Sequence, residues 1–179
     1  MPTDEELMQA VATGDADALR ELTGRWRRPL YGFLHRVAGG RETDDLYQET
    51  WLRVVRAARG FDARQRFSTW LFQIALNLSR DLHRRTLPEP ATSDVLEQAA
   101  GVVPSEDPRD AARDAALDVQ RLLAALPEAQ REVVVLRVLE DVPEDDVARI
   151  VGVPRGTVKS RLHHALARLA ELAKDGAKR

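Results

Sequence analysis

Apolar residues recur at helical spacing along most of the chain, and this periodicity constrains the fold more than any other feature of the sequence. The pattern stops over residues 87–110, which contain four prolines and six acids against one arginine. Such a segment has too little apolar surface to fold alone. We therefore expect an all-α chain of two small helical domains, residues 1–86 and 111–179, joined by a flexible acidic linker over 87–110.

The periodic stretches also predict where individual helices begin. The first is opened by a capping box of Thr3 and Glu6, and the later ones cover approximately residues 15–38, 43–59, 68–85, 111–125, 128–139, 144–150 and 155–173. Thr43 and Ser68 are expected to cap their helices, and Pro29 is expected to kink or split the second one. The predicted core stripe of the helix over 43–59 is Tyr47, Trp51, Val54, Val55 and Ala58.

Composition excludes several functional classes. The chain has no cysteine, which rules out disulfides and thiolate metal sites within it. No apolar run reaches the ~20 residues that span a bilayer, and the acidic N-terminus lacks the layout of a signal peptide. We therefore expect a cytoplasmic protein without membrane insertion. No nucleophile–base pair, phosphate-binding loop or metal-ligand spacing is visible, so we expect no enzyme activity, no cofactor and no metal.

Residues 148–158 have the spacing of a helix-turn-helix. Ala148 permits a close helix crossing, Gly152 can adopt the left-handed backbone of the turn, and Val158 anchors the second helix. The predicted buried stripe of that helix consists of Val158, Leu162, Ala165, Leu166 and Leu169. Its other sides present Gly156, Thr157, Lys159, Ser160, Arg161, His163 and His164.

The surroundings of this helix favour DNA over the alternatives. The formal net charge is only −2, but residues 154–179 carry seven lysines or arginines against two acids. An ordinary helix pair with a glycine turn would not require that local basicity. His163 and His164 could be plain surface residues, and a metal site is not expected because adjacent helical positions diverge by about 100°.

The helix over 43–59 has an outer face that its fold does not explain. This face carries Asp45, Gln48, Glu49, Leu52, Arg53 and Arg56. Glu49 and Arg53 have the spacing of an ordinary intrahelical ion pair, which accounts for those two charges. It does not account for Gln48 and Leu52, so this face is a candidate partner surface.

The segment that follows interleaves aromatic and cationic residues. One helical face carries Trp70, Gln73, Asn77, Arg80 and Arg84, and the loop before it supplies Arg64, Arg66 and Phe67. Aromatic rings can stack on unpaired bases while arginines follow the phosphate backbone. Two alternatives remain: Phe67 and Trp70 are core residues, and Asn77 caps or braces the 62–67 loop.

The chain resembles the extracytoplasmic-function sigma factors in three segments, which occur in the family's order. The segment DDLYQETWLRV (44–54) is similar to the family's polymerase-binding segment. The segment FSTWLFQIALNLSRDLHRR (67–85) is similar to the helix that reads the minus-ten element. The segment LAALPEAQREVVVLRVLEDVPEDDVARIVGVPRGTVKSRLHHALARL (123–169) is similar to the domain that reads the minus-thirty-five element. The resemblance implies a protein that binds core RNA polymerase, directs it to promoters and assists promoter melting.

The same resemblance implies three sets of binding residues. Core polymerase, through the coiled coil of its largest subunit, would contact Asp45, Gln48, Glu49, Leu52 and Arg53. Minus-ten DNA would contact Arg64, Arg66, Phe67, Trp70, Asn77, Arg80 and Arg84, with loop 62–67 and Asn77 holding a flipped base. The minus-thirty-five duplex would contact Arg155, Thr157, Lys159, Ser160, Arg161, His163 and His164. The flap of the second-largest subunit and an anti-sigma factor are further expected partners.

The sequence departs from the family at two places. Pro143 stands where the family usually has a Ser or Thr cap, and His163 and His164 replace the aromatic residue or arginine common there. The upstream DNA sequence therefore does not follow from the resemblance. The leading alternative is a helix-turn-helix repressor or activator that is not a polymerase subunit. It leaves the outer face at Gln48 and Glu49 and the 62–85 segment without a purpose.

Overall fold

A computed structural model describes residues 1–40, 42–86 and 117–176, and within them it contains helices and no strand. The first half consists of α1 (Asp4–Ala12), α2 (Ala16–Val37), α3 (Thr43–Ala57), a 3-10 turn (Ala58–Gly60) and α4 (Phe67–Thr86). The second consists of α5, of which residues 117–124 are described, then α6 (Glu128–Val134), a π-helical turn (Val135–Leu139), α7 (Glu144–Val151) and α8 (Arg155–Gly176). The expected all-α fold is confirmed, and the predicted linker over 87–110 lies outside the described residues.

The core of the first half forms where α4 packs against α2 and α3 while α1 packs across α2. Leu22, Phe33, Leu34 and Leu71 are fully buried there. The predicted capping box of α1 is confirmed, since the Glu6 backbone N–H donates to Thr3 Oγ1 over 3.1 Å and the Thr3 N–H donates to the Glu6 carboxylate over 2.8 Å. None of the described helices is long and apolar enough to cross a membrane.

Two predicted helix features are not observed, a split of α2 and a cap of α3. The helix α2 continues through Pro29 as one element of 22 residues, and a kink at Pro29 stays a prediction. Thr43 does not cap α3. The chain enters α3 through Glu42, whose φ of 51° is left-handed, so Thr43 is already helical and its buried hydroxyl has no hydrogen-bond partner.

The buried face of α3 is rotated relative to the predicted stripe. Val55 was expected in the core but is 43% exposed, whereas Leu46 and Thr50 are buried beside Trp51 and Val54. Helical spacing defines a stripe but not its centre, and here α2 and α4 cover the Leu46 side of the helix.

The start of α4 also differs from the prediction. The helix begins at Phe67, so Ser68 lies inside it and does not cap it. The Phe67 backbone N–H instead donates to Glu5 Oε1 of α1 over 2.8 Å. An acceptor for one open N–H at the start of α4 therefore comes from a residue 62 positions earlier in the chain.

The second half contains the predicted helix-turn-helix. Its helix α7 ends at Gly152, whose φ of 75° is the left-handed conformation expected for the turn, and Val158 and Ala165 of α8 are fully buried. Leu166 was expected in the core and is 46% exposed. Ala165 just before it is fully buried and Leu169 beyond it is half-buried, so Leu166 lies at the edge of a buried face that is narrower than the predicted stripe.

Candidate nucleic-acid and partner interfaces

An apolar groove of about 430 Å³ lies between α2 and α3. Its lining residues are Leu19 and Thr23 of α2 with Tyr47, Gln48, Trp51, Leu52 and Val55 of α3. Leu52 is 51% exposed, and the buried Trp51 Nε1 has no hydrogen-bond partner. This exposed apolar surface favours a partner that brings apolar side chains.

Charged residues flank this groove on the outer face of α3. Glu49 Oε1 lies 3.3 Å from Arg53 Nε and 4.0 Å from Arg56 Nη1. All three side chains are partly or largely exposed, and Asp45 is exposed in the first turn of the helix. The five residues expected to bind polymerase thus share one outer face and contribute little to the core.

The loop over residues 61–66 carries two of the predicted minus-ten arginines, and both already have acidic neighbours. The Arg64 guanidinium donates to both carboxylate oxygens of Asp62 over 2.9–3.1 Å. These hydrogen bonds lower the pKa of Asp62 and raise the pKa of Arg64. Arg66 Nη1 lies 3.8 Å from Asp146 Oδ2 of α7, so the loop touches the second half of the chain.

Phe67 is a core residue, which was the alternative interpretation of its aromatic ring. It is 0% exposed, and its ring centroid lies 5.9 Å from that of Trp26, 6.1 Å from that of Phe61 and 6.2 Å from that of Trp70. Trp70 is only half-buried, with its ring 5.0 Å from Phe61. Of the two predicted stacking residues, Trp70 is the one that reaches the surface.

Further along α4, Asn77, Arg80 and Arg84 line a cleft of about 430 Å³ between the two halves of the chain. The opposite wall includes Glu128 and Glu132 of α6, Val151 and Val153 near the turn, and Arg161 of α8. Asn77 is exposed, and its side chain makes no hydrogen bond within the described part of the chain. It lies ten residues beyond Phe67 on α4, and no hydrogen bond joins its side chain to residues 61–66 in the described structure.

Arg80 forms a bidentate polar contact across this cleft. Its Nε and Nη2 donate to the two carboxylate oxygens of Glu132 over 2.7 and 2.6 Å, and Nη2 also approaches the Val151 carbonyl at 3.3 Å. Glu132 is 3% exposed. Its hydrogen bonds raise the pKa of Arg80, and the fork geometry is that of a bidentate arginine–carboxylate pair.

Other polar contacts join the same two halves. Arg36 Nη2 lies 2.5 Å from Glu140 Oε1, and the Gln120 side chain donates to the His35 carbonyl over 2.9 Å. Sequence reasoning missed the acidic members of these pairs, Glu132 and Glu140. One local signal existed for Glu132: an acid directly before three valines of a helix is placed close to a buried stripe.

The surface of α8 presents most of the residues predicted to read duplex DNA. Lys159, Ser160, His163 and His164 are exposed, with the two imidazole centroids 5.8 Å apart. The Ser160 hydroxyl donates to the carbonyl of the half-buried Thr157 over 3.0 Å. In the described part of the chain, no group of three or more His, Cys, Asp or Glu is placed to hold a metal ion.

The basic start of α8 is partly neutralised by the acidic start of α7. Arg155 Nε lies 2.5 Å from Glu144 Oε1, and Arg155 Nη1 lies 3.2 Å from Asp145 Oδ1. The hydrogen bond to Glu144 raises the pKa of Arg155. Lys159 is 3.9 Å from the same Glu144 oxygen. Arg161, predicted on the flank of the outer face, is half-buried and lines the cleft instead.

Comparisons with known proteins agree with this arrangement. The family model for Sigma-70 region 2 matches residues 22–87, and that for Sigma-70, region 4 matches residues 116–169. The ECF RNA polymerase sigma factor SigM of Mycobacterium tuberculosis is 37% identical over 175 residues, which cover 95% of this chain and 84% of SigM. The ECF RNA polymerase sigma factor SigW of Bacillus subtilis is 29% identical over 178 residues, 94% of this chain and 95% of SigW.

A solved structure shares the fold over nearly the whole chain. CnrH, determined in complex with the cytosolic domain of CnrY, matches with a TM-score of 0.74 and 27% identity over 96% of this chain and 97% of CnrH. Regions 2 and 4 follow each other in the order of the segments recognised in the sequence. The chain therefore belongs to the extracytoplasmic-function family of RNA polymerase sigma factors.

Proposed function

We propose that this sigma factor initiates transcription through three surfaces. The α2–α3 groove and the outer face of α3 bind core RNA polymerase, loop 61–66 and α4 bind the melted minus-ten strand, and the exposed face of α8 binds the minus-thirty-five duplex. The domain limits of the proposal are those expected from the sequence, residues 1–86 and 111–179 around a linker over 87–110. Promoters are chromosomal, so the chain would act in the cytoplasm, and it would supply no catalytic group of its own.

The apolar groove is the observation that carries this proposal. A face needed only for folding would not leave an apolar groove lined by the half-exposed Leu52 open to solvent, as α3 does. The groove suits the apolar face of a partner helix, and the charges of Glu49 and Arg53 beside it would set the orientation of that helix. A helix-turn-helix repressor would need α8 but would have no use for this second surface.

On the minus-ten strand, loop 61–66 and Asn77 of α4 would hold an extruded base. Asn77 offers two donors and one acceptor to the edge of that base. Trp70 can stack on an exposed base face near the loop. Phe67, being fully buried, would support Trp70 from within the core.

Promoter binding on this scheme requires the two halves to separate. Arg80 and Arg161 line the same cleft, yet the elements they would contact lie about 25 base pairs apart, roughly 85 Å of B-form duplex. Arg80 is also occupied by Glu132, whose carboxylate presents the same paired oxygens as a DNA phosphate. Polymerase and promoter DNA would therefore replace contacts that the chain makes with itself.

Two further partners belong to the proposal. The flap of the second-largest polymerase subunit would bind the C-terminal domain, and an anti-sigma factor would compete for the polymerase-binding surface. CnrH was solved together with part of a second protein, CnrY. A protein ligand of this chain would fit the α2–α3 groove, because the lining of the groove is mostly apolar.

Run-off transcription with reconstituted polymerase tests the function directly. Core polymerase mixed with this chain should initiate at a limited set of genomic fragments from which core alone produces no specific transcript. Co-purification of this chain with core polymerase distinguishes a sigma factor from the leading alternative, a helix-turn-helix repressor or activator. A repressor or activator would bind DNA fragments without core polymerase and would not be retained by it, and that result would refute the proposal.

A further inference from the structure

The N-terminus of α4 is held by a carboxylate from another helix. Glu5 of α1 is half-buried, and its Oε1 accepts the Phe67 backbone N–H over 2.8 Å. The first turn of α4 contains no acidic residue of its own. Glu5 therefore satisfies one of the donors that a helix start leaves open, and it adds a negative charge at the positive end of the helix dipole.

The position of Glu5 is itself fixed by several contacts of α1. Its neighbour Asp4 accepts hydrogen bonds from Arg25 over 2.9 Å and from the Trp26 indole N–H over 2.8 Å. Leu7 and Met8 are buried in the domain core. The helix α1 also packs against the 3-10 turn that precedes loop 61–66. The loop is thus held by α1 at both of its ends.

We infer that Glu5 is a positioning residue for the minus-ten strand, an inference that rests on the proposed role of loop 61–66. By holding the Phe67 N–H, Glu5 fixes where α4 begins. That start sets the direction in which Arg66 leaves the loop and the position of Trp70 one turn later. Glu5 itself does not contact DNA, since its carboxylate is occupied by the backbone and would repel a phosphate.

Two properties of the side chain can be separated by substitution. Glu5→Gln removes the charge and retains an oxygen that can accept the Phe67 N–H. Glu5→Asp retains the charge and is too short by one methylene group to reach it, and Glu5→Ala removes both. A positioning role predicts that Glu5→Gln binds the minus-ten strand like the parent and that Glu5→Asp and Glu5→Ala both bind it more weakly.

Holoenzyme containing each variant is incubated with a pool of randomised single-stranded 12-nucleotide DNA, and the bound sequences are determined. The parent and Glu5→Gln should enrich the same motif. Glu5→Ala and Glu5→Asp should bind the best parental sequence about threefold to tenfold less tightly and enrich it less, with unchanged affinity for core polymerase.

Asp15→Ala is the matched control. Asp15 caps α2 in the same domain through hydrogen bonds of 2.9 and 3.0 Å and forms no hydrogen bond or ion pair with α4 in the described structure. Its loss should therefore lower stability without moving the loop. If Glu5→Ala keeps the parental motif and affinity, or fails only as much as Asp15→Ala does, the positioning role is wrong. If the parent enriches no motif at all, the proposed minus-ten function is wrong, and the inference about Glu5 is then wrong as well.

Discussion

Charged residues in this chain form two kinds of ion pair, exposed pairs within one helix and nearly buried pairs between helices. Glu49 and Arg53 form an exposed pair within one helix, whereas Arg80 meets a nearly buried Glu132 on another helix. An exposed pair contributes little to folding. A buried acid bound by two hydrogen bonds holds its partner firmly. The i,i+4 pair was predictable from the sequence, and the other pair was not, since its members are 52 residues apart.

Charge reversal of Glu49 should abolish binding to core polymerase and leave folding nearly intact. The Glu49–Arg53 pair is exposed, so Glu49→Lys should lower the free energy of unfolding by no more than about 0.5 kcal/mol. The matched control is Glu21→Lys, which breaks the exposed pair with Arg25 on α2. Thermal unfolding and co-purification with core polymerase measure the two effects. A variant that unfolds early yet still co-purifies would show that Glu49 is structural.

Asn77→Ala should impair promoter opening without affecting assembly. Its amide is exposed and has no hydrogen-bond partner in the described structure, so its removal should not destabilise the fold. Loss of one base contact costs about 1–3 kcal/mol, which corresponds to a decrease in opening of about fivefold to about 150-fold. Permanganate reactivity of unpaired thymines measures opening. We expect normal polymerase binding, a normal upstream footprint and partial rescue on a template already mismatched at the minus-ten element. Opening of duplex promoters at the parental level would contradict this role for Asn77.

At the scale of helices, local capping explains some ends and long-range contacts explain others. The start of α1 is fixed by Thr3 and Glu6, and the end of α7 by Gly152. Both were predicted, because a capping box and a turn glycine act within a few residues. The start of α4 depends on Glu5 instead. Local rules therefore placed the capping residue of α4 incorrectly at Ser68.

The exposed face of α8 should determine which upstream sequences are used. Ser160 and His163 are exposed on that face, so Ser160→Ala and His163→Ala should change the minus-thirty-five sequences selected from a randomised duplex pool. Arg161→Ala should lower affinity for all sequences alike and reduce the salt dependence of binding, as expected for a phosphate contact. Identical selected sequences for the parent and both face variants would show that α8 does not read bases.

At the scale of the whole molecule, the two halves cover parts of each other's proposed DNA surfaces. The predicted minus-ten residues Arg66 and Arg80 face acids of α7 and α6, at 3.8 and 2.6 Å. The predicted minus-thirty-five residue Arg161 faces the same cleft. The surfaces identified separately in the sequence thus lie against one another in the folded chain, and their exposure depends on how tightly the halves associate.

Removing the Glu132 charge should loosen that association. Glu132→Gln leaves Arg80 without its anion, and because the Arg80 side chain is 29% exposed the expected cost is about 1–3 kcal/mol of contact between the halves. The chain has no cysteine, so Gln9→Cys and Ala170→Cys provide two unique labels for a distance measurement. The mean distance between the labels should increase.

The free Glu132→Gln chain should also bind single-stranded DNA more tightly, since Arg80 becomes available to phosphate. Asp118→Asn is the control, because Asp118 is an exposed acid of the second half whose ion pair with Arg121 lies within one helix. An unchanged label distance together with unchanged DNA affinity would show that the Arg80–Glu132 pair does not hold the halves together.

The sequence by itself determined the helical class, the family, the helix-turn-helix and the outer faces of α3 and α8, because periodicity, capping and turn chemistry act over a few residues. Only the tertiary structure decided that Val55 borders a groove, that Phe67 is buried, that Glu5 begins α4 and that Glu132 holds Arg80. The last two contacts join residues 62 and 52 positions apart. Such pairs leave no periodic trace in the chain and exist only once the helices have packed.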